Sequence, residues 1–473
     1  MAHYQEALFR EGRNSAAGRP DFVWAKRNTF CFAILHLPST PAMSRHKDVT
    51  RVFPQRVHLP ERLELCLLFL FQAHAQALWY VPFSNVLVAH GYQHILKYAY
   101  ACGAIAAFIS PMTGGALADR RFPAERILRW LFFGTGVMMS ATFFGISHGW
   151  KPGWVLACLQ MQQLFYSPAW GLSGAIVLSQ LRDPERQFGI VRVWATLGWM
   201  SAGVMLSYVF NAETSSLTGY LSAGAFLLLG VFTKVLPTVP PSAPGEAKTW
   251  RERLGWDALV LLKHPDHRAV FVSSALFNIP LAAFYPFTIM HLKQLGAAHP
   301  TALMSVGQLS EIVAMFLLGG LIAKYRLKTL FLAGIIFGIM RYALFSFNTE
   351  AFVLAGIALH GLCYTLFFIP AQIYLERRVD SAFRARAQNL LTLMLAGFGN
   401  IFGYLGCGWW QEHCSDPTGT RTDWTTFWSV LCVAVIGVFV YFATAYRGLR
   451  RIRHTAAPAA VALAVPAIDG VSE

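Results

Sequence analysis

Charge is scarce in this chain. Asp, Glu, Lys and Arg make up 13% of its 473 residues, while apolar types make up 55%. A soluble chain of this length carries about a quarter of its residues charged, so an assembly of soluble domains is excluded. Segments of roughly ten residues with strict polar–apolar alternation are missing too, which excludes an outer-membrane barrel. Metal-ligand spacing is absent: the 8 cysteines are scattered, with no CxxC pair and no Cys/His cluster. Most of them (Cys66, Cys102, Cys158, Cys363, Cys407 and Cys432) fall inside apolar runs, where a thiol serves as a small packing residue. Cys407 and Cys414 flank the outer end of one such run. No nucleophile–base pair is readable, so an enzyme is not expected, and nothing calls for a cofactor or a metal.

What is present is a recurrence of apolar runs about 20 residues long, the length that crosses roughly 30 Å of hydrocarbon. Mean hydropathy is +0.44. Twelve spans are read, near 63–89, 95–118, 125–147, 153–178, 188–210, 217–236, 268–292, 301–323, 329–347, 351–375, 385–408 and 424–446. The fold class expected is therefore an all-α polytopic membrane protein.

The net charge of +15 is sorted by connection. On the side holding both termini the loops carry Arg120, Arg121, Arg126, Arg182, Arg186, Lys234, Lys248, Arg251, Arg253, Lys263 and Arg268. The same side adds Lys324, Arg326, Lys328, Arg377, Arg378, Arg384, Arg386, Arg447, Arg450, Arg451 and Arg453. The opposite loops carry only Lys97, Lys151, Lys293 and Arg421. By the positive-inside rule both termini lie in the cytoplasm and the number of spans is even. The basic excess thus reads as topology in the cytoplasmic membrane, and nucleic acid is not an expected partner.

Residues 1–60 form a basic N-terminal tail, expected to be disordered, whose short apolar patch Phe30–Leu37 is too short to span; Met43 offers a second start. The Ala/Pro-rich tail 448–473 is also expected to be disordered. The stretch 237–267, opening PTVPPSAPGEAKT, reads as a cytoplasmic linker. It separates a six-helix half over 61–236 from a second over 268–447. The loop Gly114–Phe122 (GGALADRRF) and the 6+6 arrangement resemble the major facilitator architecture, in which two halves rock about a midplane site.

Two ionisable residues stand deep inside spans: Arg192 in Phe188–Phe210 and Glu311 in Leu303–Ile322. Each costs roughly 2.5–3.5 kcal/mol at the bilayer centre on insertion scales, so such residues face a bundle interior or a wet cavity. Arg192, Thr196 and Trp199 are spaced i, i+4, i+7 on one helix face, and Gln308 and Glu311 share another at i, i+3. Gln72, Gln76 and Trp79 form a similar stripe in span 1, and His360, Tyr364 and Phe367 one in span 10. Aromatic faces with hydrogen-bonding groups between them suit a flat base joined to a sugar.

Several segments resemble the nucleoside:proton symporter family of the major facilitators. They are Phe165-Tyr166-Ser167-Pro168 in span 4, Arg192-Val193-Trp194-Ala195-Thr196-Leu197-Gly198-Trp199 in span 5 and Gln308-Leu309-Ser310-Glu311 in span 8. Arg384 to Gln388, Gly397-Phe398-Gly399 and Thr422-Asp423-Trp424 complete the pattern, and the resemblance runs from about 60 to 450. It implies proton-coupled nucleoside uptake by alternating access, with the protein a monomer in contact with membrane lipid. It also implies substrate contacts from Gln72, Trp79, Arg192, Thr196, Trp199, Asn278, Gln308, His360 and Tyr364, with Glu311 as the proton carrier. Two positions depart from the family pattern. Thr365 stands where an aspartate is common, which shifts coupling onto Glu311 with His360 beside it, and Asn278 keeps one amide where relatives present two. A proton-linked sugar or other polar-solute carrier, and a transporter-like sensor, are the alternative readings.

Overall fold

The computed structural model describes residues 63–118, 122–181, 184–240, 256–417 and 421–448. The N-terminal tail, the middle of the linker, part of the Gly114–Phe122 loop and the C-terminal tail lie outside the described residues. Among those described, structure is helical apart from one isolated β-bridge, Ser415 to Thr422. The rods in chain order begin with α1 (Leu63–Ala89), α2 (Leu96–Ala118), α3 (Ala124–Ser147), α4 (Pro152–Gln180), α5 (Gln187–Phe210) and α6 (Leu217–Phe232). After a short 3-10 turn at Trp256–Lys263 come α7 (Pro265–Gln294), α8 (Pro300–Lys324), α9 (Leu327–Ser346), α10 (Glu350–Arg378), α11 (Phe383–His413) and α12 (Trp424–Ala445). Among the described residues nine helices are long and apolar enough to cross a membrane; α6 is apolar but shorter.

Successive rods run in opposite directions, so the connections gather at two ends. At the linker end, Ala124 donates its backbone N–H to Val239 at 3.1 Å, and the backbone N–H of Arg447 donates to Asp266 at 2.7 Å. At the distal end Gln294 donates to the Thr422 carbonyl at 2.9 Å, and His291 bonds Asn348 at 2.8 Å. Glu376 and Arg384 pair at 3.4 Å at the linker end.

Several rods are interrupted, and proline explains two of the positions: Pro82 divides α1, and Pro280 lies just before the break in α7. Proline lacks the N–H that would close the i→i−4 bond, so the backbone loosens there. α10 breaks at Leu359, away from its Pro370. Tyr342 of α9 donates to the Pro280 carbonyl at 2.7 Å, and so satisfies an acceptor at the break in α7. α5 and α11 instead widen into π-turns, at Met205–Phe210 and Leu393–Gly399. In hydrocarbon such irregular backbone is tolerated only where protein or a cavity covers it.

Glycine sets how closely two site-bearing pairs approach. A Cβ on Gly198 of α5 would lie 2.0 Å from the Leu70 carbonyl oxygen of α1, and one on Gly361 of α10 would lie 2.0 Å from the Glu311 nitrogen of α8. Both contacts are to backbone, so a side chain can be fitted only by pushing the helices apart. Gly361 N–H also donates to Ser310 Oγ at 3.0 Å.

Gly198→Ala and Gly361→Ala should each destabilise the protein by about 1–3 kcal/mol through overpacking, read as lower melting temperatures in detergent. Gly437→Ala on α12, where nothing lies within 4 Å, should leave the transition unchanged or slightly higher. The Asp423 side chain caps α12, accepting from Thr426 N at 3.1 Å and from Thr426 Oγ1 at 2.6 Å. These bonds hold its carboxyl below the usual carboxylate range. A depressed folded-state value adds stability above the unfolded-state value and loses it as pH falls through the folded one. Asp423→Ala should therefore cost about 1 kcal/mol at neutral pH, and the difference from the parent should fade in acid.

Candidate functional site

Arg192 on α5 and Glu311 on α8 come from opposite halves, and both are half-buried rather than sealed. The guanidinium of Arg192 lies 5.0 Å from the Trp170 ring centroid on α4, a cation–π contact. Among the described residues Arg192 makes no hydrogen bond or ion pair, and neither does the Glu311 carboxylate. The two are close enough that the charge of Arg192 acts on Glu311, and both charges act on Tyr364 of α10. Tyr364 keeps 36% of its surface accessible although it lies inside a membrane-length helix. A cation, an anion and a phenol from three helices, each partly accessible, thus lie within electrostatic reach of one another across the two halves.

The wall beside them is aromatic and hydroxylated. Gln308, one turn before Glu311, donates to the Tyr285 hydroxyl at 3.0 Å, and its own carbonyl oxygen has no partner. Trp199 is partly buried, with its ring 5.6 Å from Tyr285 and 6.0 Å from Tyr80. Tyr80 and Tyr404 share a hydroxyl–hydroxyl bond at 2.8 Å. Together Tyr80, Trp199, Tyr285 and Tyr404, from α1, α5, α7 and α11, form an aromatic cluster that joins the two halves on the distal side of Arg192 and Glu311. None of the three tyrosines stood out in the sequence, because each lies in an aromatic-rich run with no charge to mark it.

His360 sits at the break in α10 and stacks face to face on Phe284, with centroids 4.0 Å apart and planes within 6°. Its Nδ1 lies 2.8 Å from Arg341 Nη1. Arginine can only donate, so Nδ1 accepts and any proton of a neutral ring is on Nε2. Arg341 itself is wholly buried; it donates to the Tyr342 hydroxyl at 2.6 Å and lies 5.0 Å from the Phe284 ring centroid. Its surroundings are neutral acceptors and ring faces, and Glu311 is not among its partners. The expectation that His360 shares proton traffic is therefore revised, because the imidazole nitrogen that would take the proton already faces a guanidinium.

Other expected contacts are placed elsewhere. Gln72 and Trp79 are wholly buried, and the Trp79 ring nitrogen donates to Gln76 at 3.0 Å, so this stripe stands behind the wall and not on it. The physical reason is that α1 packs against both α5 and α6; a polar face on a helix surrounded by protein does not reveal which neighbour it meets. Neither amide atom of Gln72 has a partner among the described residues. Thr196 is buried beside Arg192. Asn278 donates to the Leu395 carbonyl at 2.9 Å and to Asn400 Oδ1 at 2.7 Å. Both amide hydrogens thus tie α7 to α11, which puts Asn278 to work as a brace in this conformation. Cys407 and Cys414 are free thiols.

Comparison with known proteins places these features in a family. The pattern of the family described as nucleoside H+ symporter matches residues 60–451. YegT of Escherichia coli (strain K12) is 31% identical over 386 residues, covering 78% of this chain and 90% of its own. The nucleoside permease NupG of the same organism is 26% identical over 379 residues, covering 76% and 88%. The crystal structure of the nucleoside transporter NupG superimposes with a TM-score of 0.72 at 23% identity, over 82% of this chain and all of that one.

Asn278→Ala should lower the melting temperature through the loss of two interhelical hydrogen bonds, each worth about 0.5–1.5 kcal/mol. Glu311→Gln, at a carboxylate with no hydrogen bond to lose, should leave the melting temperature unchanged or raise it. The reverse ranking would mean that Asn278 is not a brace.

Proposed function

The chain belongs to the nucleoside H+ symporter family, and on that footing we propose that it takes up nucleosides with protons across the cytoplasmic membrane by alternating access. The observation that carries this reading is the pair Arg192 and Glu311: opposite charges, one on each half, within electrostatic reach and without a hydrogen bond to each other; we take the space beside them to be the substrate void. Left unpaired at mid-depth, each is costly. A neutral solute rich in hydroxyl groups relieves Arg192, and a proton relieves Glu311. With both charges answered, the halves can rock past each other; with only one answered, the cost of a bare charge opposes the movement.

In this reading the ribose lies against Arg192 and the free carbonyl of Gln308, with the Nε2 side of His360 as a further donor and Thr196 supporting Arg192 from within α5. The base stacks on Tyr364 with Trp199 at its distal edge. Glu311 takes up the proton that accompanies the substrate. The aromatic cluster joins the halves on the distal side here, so in this reading the substrate has access from the linker end. By the distribution of arginines and lysines that end faces the cytoplasm. A sugar carrier would use the same hydroxyl-binding groups but has no need of Tyr364 and Trp199.

Reconstituted protein should accumulate labelled uridine or adenosine when a proton gradient is imposed, and only equilibrate them without one. Glu311→Gln should abolish accumulation and leave nucleoside exchange. Tyr364→Leu and Trp199→Leu should each weaken nucleoside affinity by about 1–3 kcal/mol, the stacking contribution per base. Uptake independent of the gradient would remove the coupling, and competition by sugars but not by nucleosides would remove the substrate.

A further inference from the structure

Glu213 lies between α5 and α6 at the distal end, in the loop that follows the π-turn of α5. A carboxylate in such a loop is expected to be solvated, yet only 8% of its surface is accessible. All of its hydrogen bonds but one cross to the other half of the molecule. Its Oε2 accepts from the Thr301 backbone N–H at 3.2 Å and from the Thr301 hydroxyl, in the first turn of α8. Its Oε1 accepts from Ser207 Oγ at 2.5 Å, within its own half. Ser207 Oγ in turn accepts from the Ala302 N–H at 3.0 Å. Ser207 and Thr301 are both fully buried. The surroundings reinforce the seam: Gly203 brings α5 against the Thr301 carbonyl, and the Tyr208 ring packs against His299 at a tilt of 42° with centroids 4.4 Å apart.

We propose that Glu213 is the latch that holds the distal end shut, by placing a carboxylate of the first half on the Thr301 N–H and hydroxyl, in the first turn of α8 of the second, while Ser207, which it holds, takes the next N–H. The first N–H groups of a helix have no partner within it and carry a partial positive charge, so a desolvated carboxylate there is strongly held. Opening the distal end must separate Glu213 from Thr301 and strand both. Other ties cross the same end. The Lys97–Glu412 ion pair, at 2.5 Å, has its lysine 15% and its glutamate 42% exposed, so water can reach both charges when it parts. The Tyr80–Tyr404 bond joins two neutral hydroxyls. Glu213, 8% accessible, is the most deeply buried charge among these ties and loses most when its contact breaks. Glu213 is thus a positioning residue: it sets which end the substrate void opens to, and it does not touch the substrate.

This inference rests on alternating access as proposed above, but its test does not depend on any substrate. Spin-labelled non-natural residues at Gln93 and Ala298, exposed distal positions on opposite halves, report the separation of that end by pulsed dipolar spectroscopy in the full chain. The parent should give a single short distance population. Glu213→Gln and Glu213→Ala should add a longer population that becomes the major one. Ser207→Ala and Thr301→Val, which remove one hydroxyl each and keep the carboxylate, should shift the balance in the same direction by less, and they carry the test if the Glu213 variants do not fold. A distance distribution in the variants that matches the parent overturns the latch, whatever the uptake assays give. Loss of uptake with the expected distances would overturn the transport reading instead.

Discussion

Putting a charged side chain at the middle of a bilayer is so unfavourable that its presence constrains everything around it. Here Arg192 and Glu311 require a void wet enough to hold them, and the void requires that helices break and glycines let backbones close around it. Gly361 brings α10 onto α8 at Glu311 itself, and Gly198 brings α5 onto α1 one and a half turns from Arg192. Each half therefore carries its own charge on a tightly packed helix pair. The polar groups move with their halves, and what changes between states is their relation across the seam.

The distal end shows how such a seam is closed. Aromatic rings from both halves meet there, and hydrogen bonds pin the rim: Tyr80 to Tyr404, Lys97 to Glu412, Glu213 to Thr301. The three are of different strength because they differ in access to water. An exposed ion pair is screened and replaceable, while a desolvated carboxylate on backbone N–H groups is not.

How much of this was legible in the sequence depends on what marks a residue. Arg192 and Glu311 were visible because a charge inside an apolar run has few explanations, and the motifs around them identified the family before any coordinates. Trp79 and Gln72 were misplaced because α1 has protein on several sides, so spacing fixed a face but not its neighbour. The brace made by Asn278 was invisible, since its partner Asn400 is 122 residues away in the chain. Glu213 was overlooked because an acid in a loop resembles a solvated one, and only the approach of α8 removes its water.

The contact between Arg341 and His360 also bears on the energetics of accumulation. On the proposal that Glu311 alone carries the proton, one proton moves with each solute molecule. A single elementary charge crossing 100 mV releases about 2.3 kcal/mol, which sets a ceiling near fiftyfold on the ratio of internal to external solute, before any pH difference is added.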